Sequence, residues 1–134
     1  MPRIIIASGP VIVSGGRVLL NKHGEDSFWK FCGGRVENLE AESLLEAAIR
    51  EAKEEISVDI KIINPTPFLF HVRRTIDGQE TDIILVHYLA ELPAGQKASP
   101  GEGIREVAWI DIADLDKEEL GPNIKPALVH FGLI

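Results

Sequence analysis

"GGRVENLEAESLLEAAIREAKEEISV", residues 33–58, sets a glycine pair ahead of a stretch that gathers Glu51, Glu54 and Glu55 within five positions. The spacing predicts a helix over about 41–56. Carboxylates at i, i+3 and i+4 of a helix lie on one side and repel, at a cost of roughly a few tenths of a kcal/mol per pair. Taking Leu45 as the reference at about 100° per residue, Ala48, Ile49, Ala52 and Ile56 fall within about 60° of it, which makes them the expected core stripe. Glu51, Glu54 and Glu55 fall at about 240°, 180° and 280°, whereas Glu46, Arg50 and Lys53 collect at about 80° to 140°. Charge is therefore sorted by sign around the helix, with the small residues Ser43 and Ala47 leaving room beside the carboxylates. A solvated acidic face is the simplest reading of such a helix taken alone.

What precedes the helix points to chemistry. "FWKFCGG", residues 28–34, reads as an aromatic-rich strand segment running into Gly33-Gly34. A glycine pair lets the backbone turn tightly and bring carbonyl oxygens close to a ligand. Carboxylates and a backbone carbonyl are the hard donors that Mg²⁺ or Mn²⁺ takes, and Mg²⁺ commonly bridges a few carboxylates to substrate phosphates. Loop and helix together read as a metal-phosphate site.

Outward from this centre, "RIIIA", "PVIVS" and "RVLLNK" read as short strands, the last two separated by the turn Ser14-Gly15-Gly16. "VDIKIINPTPFLFHVRR" reads as a bent or edge strand because of Pro65 and Pro67. "TDIILVHYLAEL" is a further strand, joined to it by an Asp77-Gly78 hairpin turn. "PAGQKASPGEG" is a Gly/Pro loop, expected to be mobile, followed by the strand "IREVAWI", a short helix or turn from about 113, and a final helix near 124–131. Mostly antiparallel strands with two helices predict an α/β fold in which helices cover a mixed sheet.

The chain has 134 residues, 45% of them hydrophobic, enough for one domain over 1–134 with its own core. A net charge of −7 argues against stable nucleic-acid binding, which draws on a basic surface, and any bound polyphosphate would need a metal. Cys32 is the only cysteine, so no intramolecular disulfide forms, and no clustered Cys/His zinc spacing appears. The apolar start "MPRIIIASGPVIV" is interrupted by Ser8, Gly9 and Pro10, too short for a signal peptide or a membrane span, so a cytoplasmic location is the expectation. The apolar C-terminus "LVHFGLI" permits a homodimer.

Gly34, seven residues, Glu42, seven more and then "REAKEEISV" resemble the signature of the Nudix hydrolases, G-x5-E-x7-R-E-U-x-E-E-x-G-U, where U is a bulky aliphatic residue. Three departures stand out: the gap from Gly34 to Glu42 is two residues longer, Ala52 replaces the aliphatic residue, and Ser57 replaces the final glycine. The first lengthens the loop, and the last removes the usual helix-ending glycine. The resemblance implies a Nudix fold, a mixed, mostly antiparallel sheet sandwiched between helices. It implies that Glu51, Glu54 and Glu55 bind Mg²⁺ or Mn²⁺, with the Gly33 carbonyl as a further ligand, and that Glu42 and Arg50 pair structurally beside Gly34. The reaction it implies is attack of water on a diphosphate linkage of a small nucleotide substrate, foremost a nucleoside triphosphate. ADP-ribose or a nucleotide sugar is the alternative substrate, and a non-catalytic binding module the alternative class. Glu102 in the Gly/Pro loop is the distal candidate for general base, ahead of Glu106, which reads as the exposed face of a strand. Trp29 and Phe31, with Phe28, could stack on a base, and Arg73 and Arg74 could contact a phosphate. The histidines offer no metal site, His71 and His87 reading as strand-face residues.

Overall fold

A computed structural model describes residues 3–134. The strands are β1 (Arg3–Ser14), β2 (Arg17–His23), β3 (Gly34–Arg35), β4 (Lys61–Ile62), β5 (Phe68–Ile76), β6 (Gln79–Glu91) and β7 (Ile104–Asp111), with helices α1 (Leu44–Ile56) and α2 (Ile124–His130) and a 3-10 turn over Ile112–Lys117. The sheet runs β4-β6-β1-β2-β7, with β3 beside β1 and β5 beside β6. β1 and β6 are parallel and every other pairing between these strands is antiparallel. This is the mixed, helix-covered sheet expected of the sequence. Asp77 and Gly78 both take positive φ, 52° and 75°, as a two-residue hairpin turn of type I′ requires.

The two apolar runs read as separate strands are one strand, β1, which pairs along its length with β6 from Arg3↔Thr81 to Ile12↔Ala90. Its other edge is shared: Ala7 and Ser8 pair with β3, and Val13 and Ser14 with β2. Pro10 lies in the gap between these partners. Ile6 directs its carbonyl to that edge, accepting from the Val36 amide, and by the strand's alternation Pro10 faces the same way, so its missing N–H interrupts no ladder. The chain crosses at this split so closely that a Cβ on Gly9 would lie 1.9 Å from the Cys32 carbonyl oxygen.

Four other expectations differ in detail. The residues from Val58 to Arg74 divide into β4 and β5, with the two prolines in the irregular link between them. The aromatic segment before the glycine pair is not a strand; it makes single bridges, Lys30 with Asn21 and Trp29 with Leu120, because its backbone bonds alternately to β2 and to residues 119–121. α1 begins at Leu44, because Ser43 and Glu46 form a capping box: the Glu46 amide donates to Ser43 Oγ at 3.1 Å, and the Ser43 amide to Glu46 Oε1 at 3.0 Å. At the C-terminus, Leu128 is buried and Phe131 and Leu133 pack on the core, which leaves Val129 and Ile134 as the exposed large apolar residues of that segment.

Alternation along the strands divides the core into two layers. Val11, Val18 and Leu20 pack with Ile124, Ala127 and Leu128 of α2, while Ile12 and Leu19 pack with Ala52 and Ile56 of α1. On α1, Ala47, Ala48, Ala52 and Ile56 are buried, but so are Glu51 and Glu55, whereas Ile49 is exposed. The buried face is thus rotated from the expected stripe toward the acidic flank.

Candidate active site

Arg50 anchors the acidic flank of α1. Its Nε and Nη2 grip the Glu42 carboxylate, the shortest contact being 2.7 Å, and its Nη1 donates to Glu51 and to Glu54, each at 3.0 Å. The bidentate fork matches guanidinium to carboxylate geometry and ties the loop before α1 to the helix. It also holds the Glu42 carboxyl below its ordinary range. The loop before α1 turns at Asn38, whose side chain accepts from the Glu40 amide and whose carbonyl accepts from the Ala41 and Glu42 amides.

Glu55 faces the glycine pair. The Gly33 amide donates to its Oε1 at 2.8 Å, and His23 Nε2 lies 3.2 Å from its Oε2. Gly34 packs against Glu51 so tightly that a Cβ there would lie 2.4 Å from the carboxylate. Burial, and then the neighbouring Glu55 charge, push the Glu51 carboxyl up from its ordinary value. The loop expected to be mobile is pinned to the end of α1: the amides of Ser99, Gly101 and Glu102 donate to the carbonyls of Ile56, Glu55 and Glu54 at 3.0, 2.7 and 3.2 Å. Glu102 is thereby fixed beside Glu54, with its side chain exposed.

Four carboxylates, two of them buried, are served by one guanidinium and one histidine. Among the described residues no three acidic, His or Cys side chains converge on a point, because Arg50 draws Glu51 and Glu54 while Gly33 and His23 hold Glu55. The donor chemistry nonetheless fits a hard divalent cation: an excess of carboxylates in a half-buried place, beside a backbone that only glycine allows.

On the opposite face of the sheet lies a cavity of about 330 Å³. Ile83, Leu85 and His87 of β6 line it, alternating with Ile84, Val86 and Tyr88, which pack with the α1 layer. Phe28 and Phe31 form a wall, Arg74 and Lys30 supply positive charge, and His23 and Gly33 stand between this space and the carboxylates. Trp29 is elsewhere: it is buried in the α2 layer, donates from Nε1 to Glu118 at 3.2 Å and carries Lys22 Nζ 4.5 Å above its ring. Arg73 also points away, pairing with Glu80 at 2.8 Å, and Glu106 lies 3.9 Å from Lys22 on its strand face.

His23, His87 and Asn123 line the cavity without having stood out in the sequence. The one available signal was Asn123, an asparagine at a helix start ahead of Pro126. His23 is aimed by a register shift between β2 and β7 at Lys22/His23.

A family model described as NUDIX domain matches residues 3–131. Among solved structures, a MutT NUDIX hydrolase from Burkholderia pseudomallei is 26% identical over 95% of this chain and 97% of its own, with a TM-score of 0.76. A NUDIX-family hydrolase from Clostridium perfringens shares 24% identity over 100% and 99%, at 0.71. An Ap4A hydrolase from C. elegans shares the fold at 21% identity over 96% and 95%, at 0.73. Among curated proteins none matches the chain in sequence. No helix among the described residues is long and apolar enough to cross a membrane.

Proposed function

The chain belongs to the Nudix family, as a pyrophosphohydrolase, and from that premise we propose that it cleaves a diphosphate linkage in a nucleoside diphosphate derivative, foremost a nucleoside triphosphate, with Mg²⁺ or Mn²⁺. The observation that carries this reading is the seam at Gly33, where a cavity walled by Phe28 and Phe31 on one face of the sheet meets the carboxylates of α1 on the other. A base held in the cavity directs its phosphates past Lys30 and Arg74 toward those carboxylates. In this reading Glu51, Glu54 and Glu55, with the Gly33 carbonyl, hold the ion. When bound, the ion polarises phosphoryl oxygens and makes water a stronger nucleophile.

The chain's own groups do the rest. Arg50 and Glu42 hold α1 against its loop, and Gly34 leaves Glu51 its place. Water adds to phosphorus, the bridging P–O bond breaks with its electron pair leaving on the departing phosphate, and a carboxylate takes the proton from the water. Glu102, fixed at the end of α1, is the proposed acceptor of that proton.

Phosphate release should be measured over nucleoside triphosphates, dinucleoside polyphosphates, ADP-ribose and nucleotide sugars, with Mg²⁺, Mn²⁺ or chelator. The expected result is metal-dependent turnover highest for one or more nucleoside triphosphates. Preference for ADP-ribose or a sugar nucleotide would displace the substrate assignment, and tight nucleotide binding without turnover would leave a binding module.

A further inference from the structure

β5 has β6 on one side and, among the described residues, no strand on the other. The hairpin decides which backbone groups this open edge presents. A two-residue turn makes its flanking residues, Ile76 and Gln79, a hydrogen-bonded pair, so Phe68, Phe70, Val72 and Arg74 also bond to β6, while Leu69, His71, Arg73 and Thr75 turn their N–H and C=O groups outward. β6 has the matching phase: Leu89, in step with His87, accepts from the Ile63 amide on this same side.

Open edges are ordinarily blunted by lysine, proline or a bulge, because they template the pairing of another strand. β5 instead pairs with β6 residue for residue from Phe68 to Ile76, without proline, glycine or bulge. Its first half, "FLFHV" at residues 68–72, holds no lysine, arginine or carboxylate. Leu69 stands 60% exposed on the α1 face. Phe68, Phe70 and Val72 are half-buried on the cavity face, where the Phe68 ring lies 6.2 Å from that of Phe70 and 5.0 Å from that of His130. A regular, uncharged edge with apolar residues on both faces calls for a covering strand.

The chain itself supplies one. In antiparallel pairing about a two-fold axis, residues equidistant from the axis face each other. An axis at Arg73 sets Arg73 against the partner's Arg73, one at Val72 sets His71 against the partner's Arg73, and one at His71 sets Leu69 against the partner's Arg73. An axis at Leu69 sets His71 against the partner's Pro67, which has no N–H to donate. Only at Phe70 do apolar residues meet throughout: Phe70 faces the partner's Phe70, Phe68 faces the partner's Val72, and Leu69 lies along the partner's His71. Both arginines then fall outside the paired "FLFHV" stretch, in keeping with the preference of cross-strand pairs for aromatic and β-branched neighbours over like charges. Leu69 and His71 of each copy exchange N–H and C=O bonds across the axis, and Phe70 takes the close, non-hydrogen-bonded place.

We propose that the chain forms a two-fold dimer in which the β5 strands of two copies pair antiparallel about Phe70, joining two sheets into one. The occupant of the edge is a second copy because the apolar half of β5 is complementary to itself in this register. Val72 and Arg74 bound the cavity on its β5 side, and the partner's Phe68, opposite Val72, carries that wall further.

The test is sedimentation velocity over a concentration series, without nucleotide or metal, in which wild type should show a monomer–dimer equilibrium. His71→Pro removes an outward N–H and none that bonds to β6, giving up only an exposed contact with Asp82. Leu69→Lys puts a charge on the exposed edge. Each variant should stay monomeric where wild type is dimeric, with a melting temperature close to that of dilute wild type, and Leu69→Ile should still dimerise. Hydrogen exchange should find the Leu69 and His71 amides slowed by about tenfold or more in concentrated over dilute wild type, with Thr75 unchanged. A wild type that stays monomeric, its Leu69 and His71 amides exchanging freely at every concentration, leaves the edge to a foreign strand and overturns the proposal. So does a dimer that survives both His71→Pro and Leu69→Lys, with Val129→Lys marking the apolar C-terminus as the true contact if it breaks that dimer. Protection of Thr75 equal to that of Leu69 would move the axis off Phe70 and overturn the register.

Discussion

Arg50 reaches three carboxylates at once, and the consequences differ for each partner. Glu54 is its most exposed partner and an i,i+4 neighbour, so their pair contributes little to stability. Glu54→Gln should therefore shift the melting temperature in chelator only slightly, since the lost pair is offset by reduced repulsion, while turnover at limiting Mg²⁺ falls at least about tenfold. Arg50→Ala should lower both, because it leaves Glu42, Glu51 and Glu54 facing one another. A melt series in chelator beside a Mg²⁺ titration separates the two; a strongly destabilised Glu54→Gln protein would show that Glu54 belongs to the scaffold. His87 carries a pH signature of its own. Its folded pKa of about 4 lies below the ordinary value, so as pH falls the unfolded chain takes up the proton first. The contribution of neutral His87 is intact above about pH 6.5 and is lost as pH falls toward 4, to a limit of roughly 3 kcal/mol. Melts at pH 7.5 and 4.5 should show wild type losing more stability over this interval than His87→Gln, and equal losses would place the ring in contact with solvent.

At the scale of the element, α1 shows what the pattern disclosed and what it hid. The pairing of Arg50 with Glu42, which precedes the helix, came only from the family resemblance, whereas the spacing of the glutamates and the side of the helix that carries them were readable because a helix fixes its own angular geometry. Its rotation was not, since 100° arithmetic treats Ile49 as a better core residue than Ala47, whereas the close packing of α1 on the sheet favours the smaller side chain. The end of the helix was uncertain as well, for want of a glycine. Ser57 nevertheless takes the left-handed conformation, φ 62° and ψ 35°, its amide donating to the Ala52 carbonyl. That conformation costs a residue with a Cβ about 1 kcal/mol. Ser57 is exposed, so Ser57→Gly should raise the melting temperature by roughly 2 to 4 °C without altering kcat, as calorimetry would register. A fall would mean that the serine side chain contributes an interaction of its own. The loop that closes on this helix end is held by three backbone bonds and admits no side chain at Gly101, where a Cβ would lie 2.3 Å from the Glu54 carbonyl oxygen. Glu102 is consequently presented at a fixed place. Glu102→Gln should lower kcat by about 10² to 10⁴ with Mg²⁺ affinity nearly intact, and should flatten the acidic limb of the pH-rate profile. Near-normal kcat would move the search for the base to Glu51 and then to Glu106.

Across the whole molecule, one split in a sheet joins two half-sites. β1 changes partners around Pro10, the Cys32-Gly33 backbone passes through the opening, and so the cavity on the α2 face communicates with the carboxylates on the α1 face. The carboxylate half was legible because it lies within one continuous stretch, residues 33–58. The cavity half was not: His87 and Asn123 are 36 residues apart, and Gly9 is 78 from His87, so the parallel pairing of β1 with β6 is needed to set Gly9 opposite His87 and the packing of α2 on the sheet to bring Asn123 to them. Trp29 was misleading for the same reason, since alternation along an assumed strand could not show that this segment bonds to residues 119–121 and turns its indole into the α2 layer. His23 and Gly33 join the cavity to Glu55, but among the described residues the groups around Asn123 and Glu54 share no hydrogen-bonding side chain: Asn123, His87 and Gly9 form one, and Glu42, Arg50, Glu51 and Glu54 the other. Changes in groups without common partners act nearly independently, within about 0.5 kcal/mol or roughly twofold. The Asn123→Leu/Glu54→Gln double variant should therefore lose kcat/KM by the product of the two single losses, the first acting through KM and the second through kcat and Mg²⁺ dependence. A double loss many times smaller than that product would mean that base placement and phosphate placement are one event, carried through the Gly33 seam, and the division into two half-sites would have to be given up.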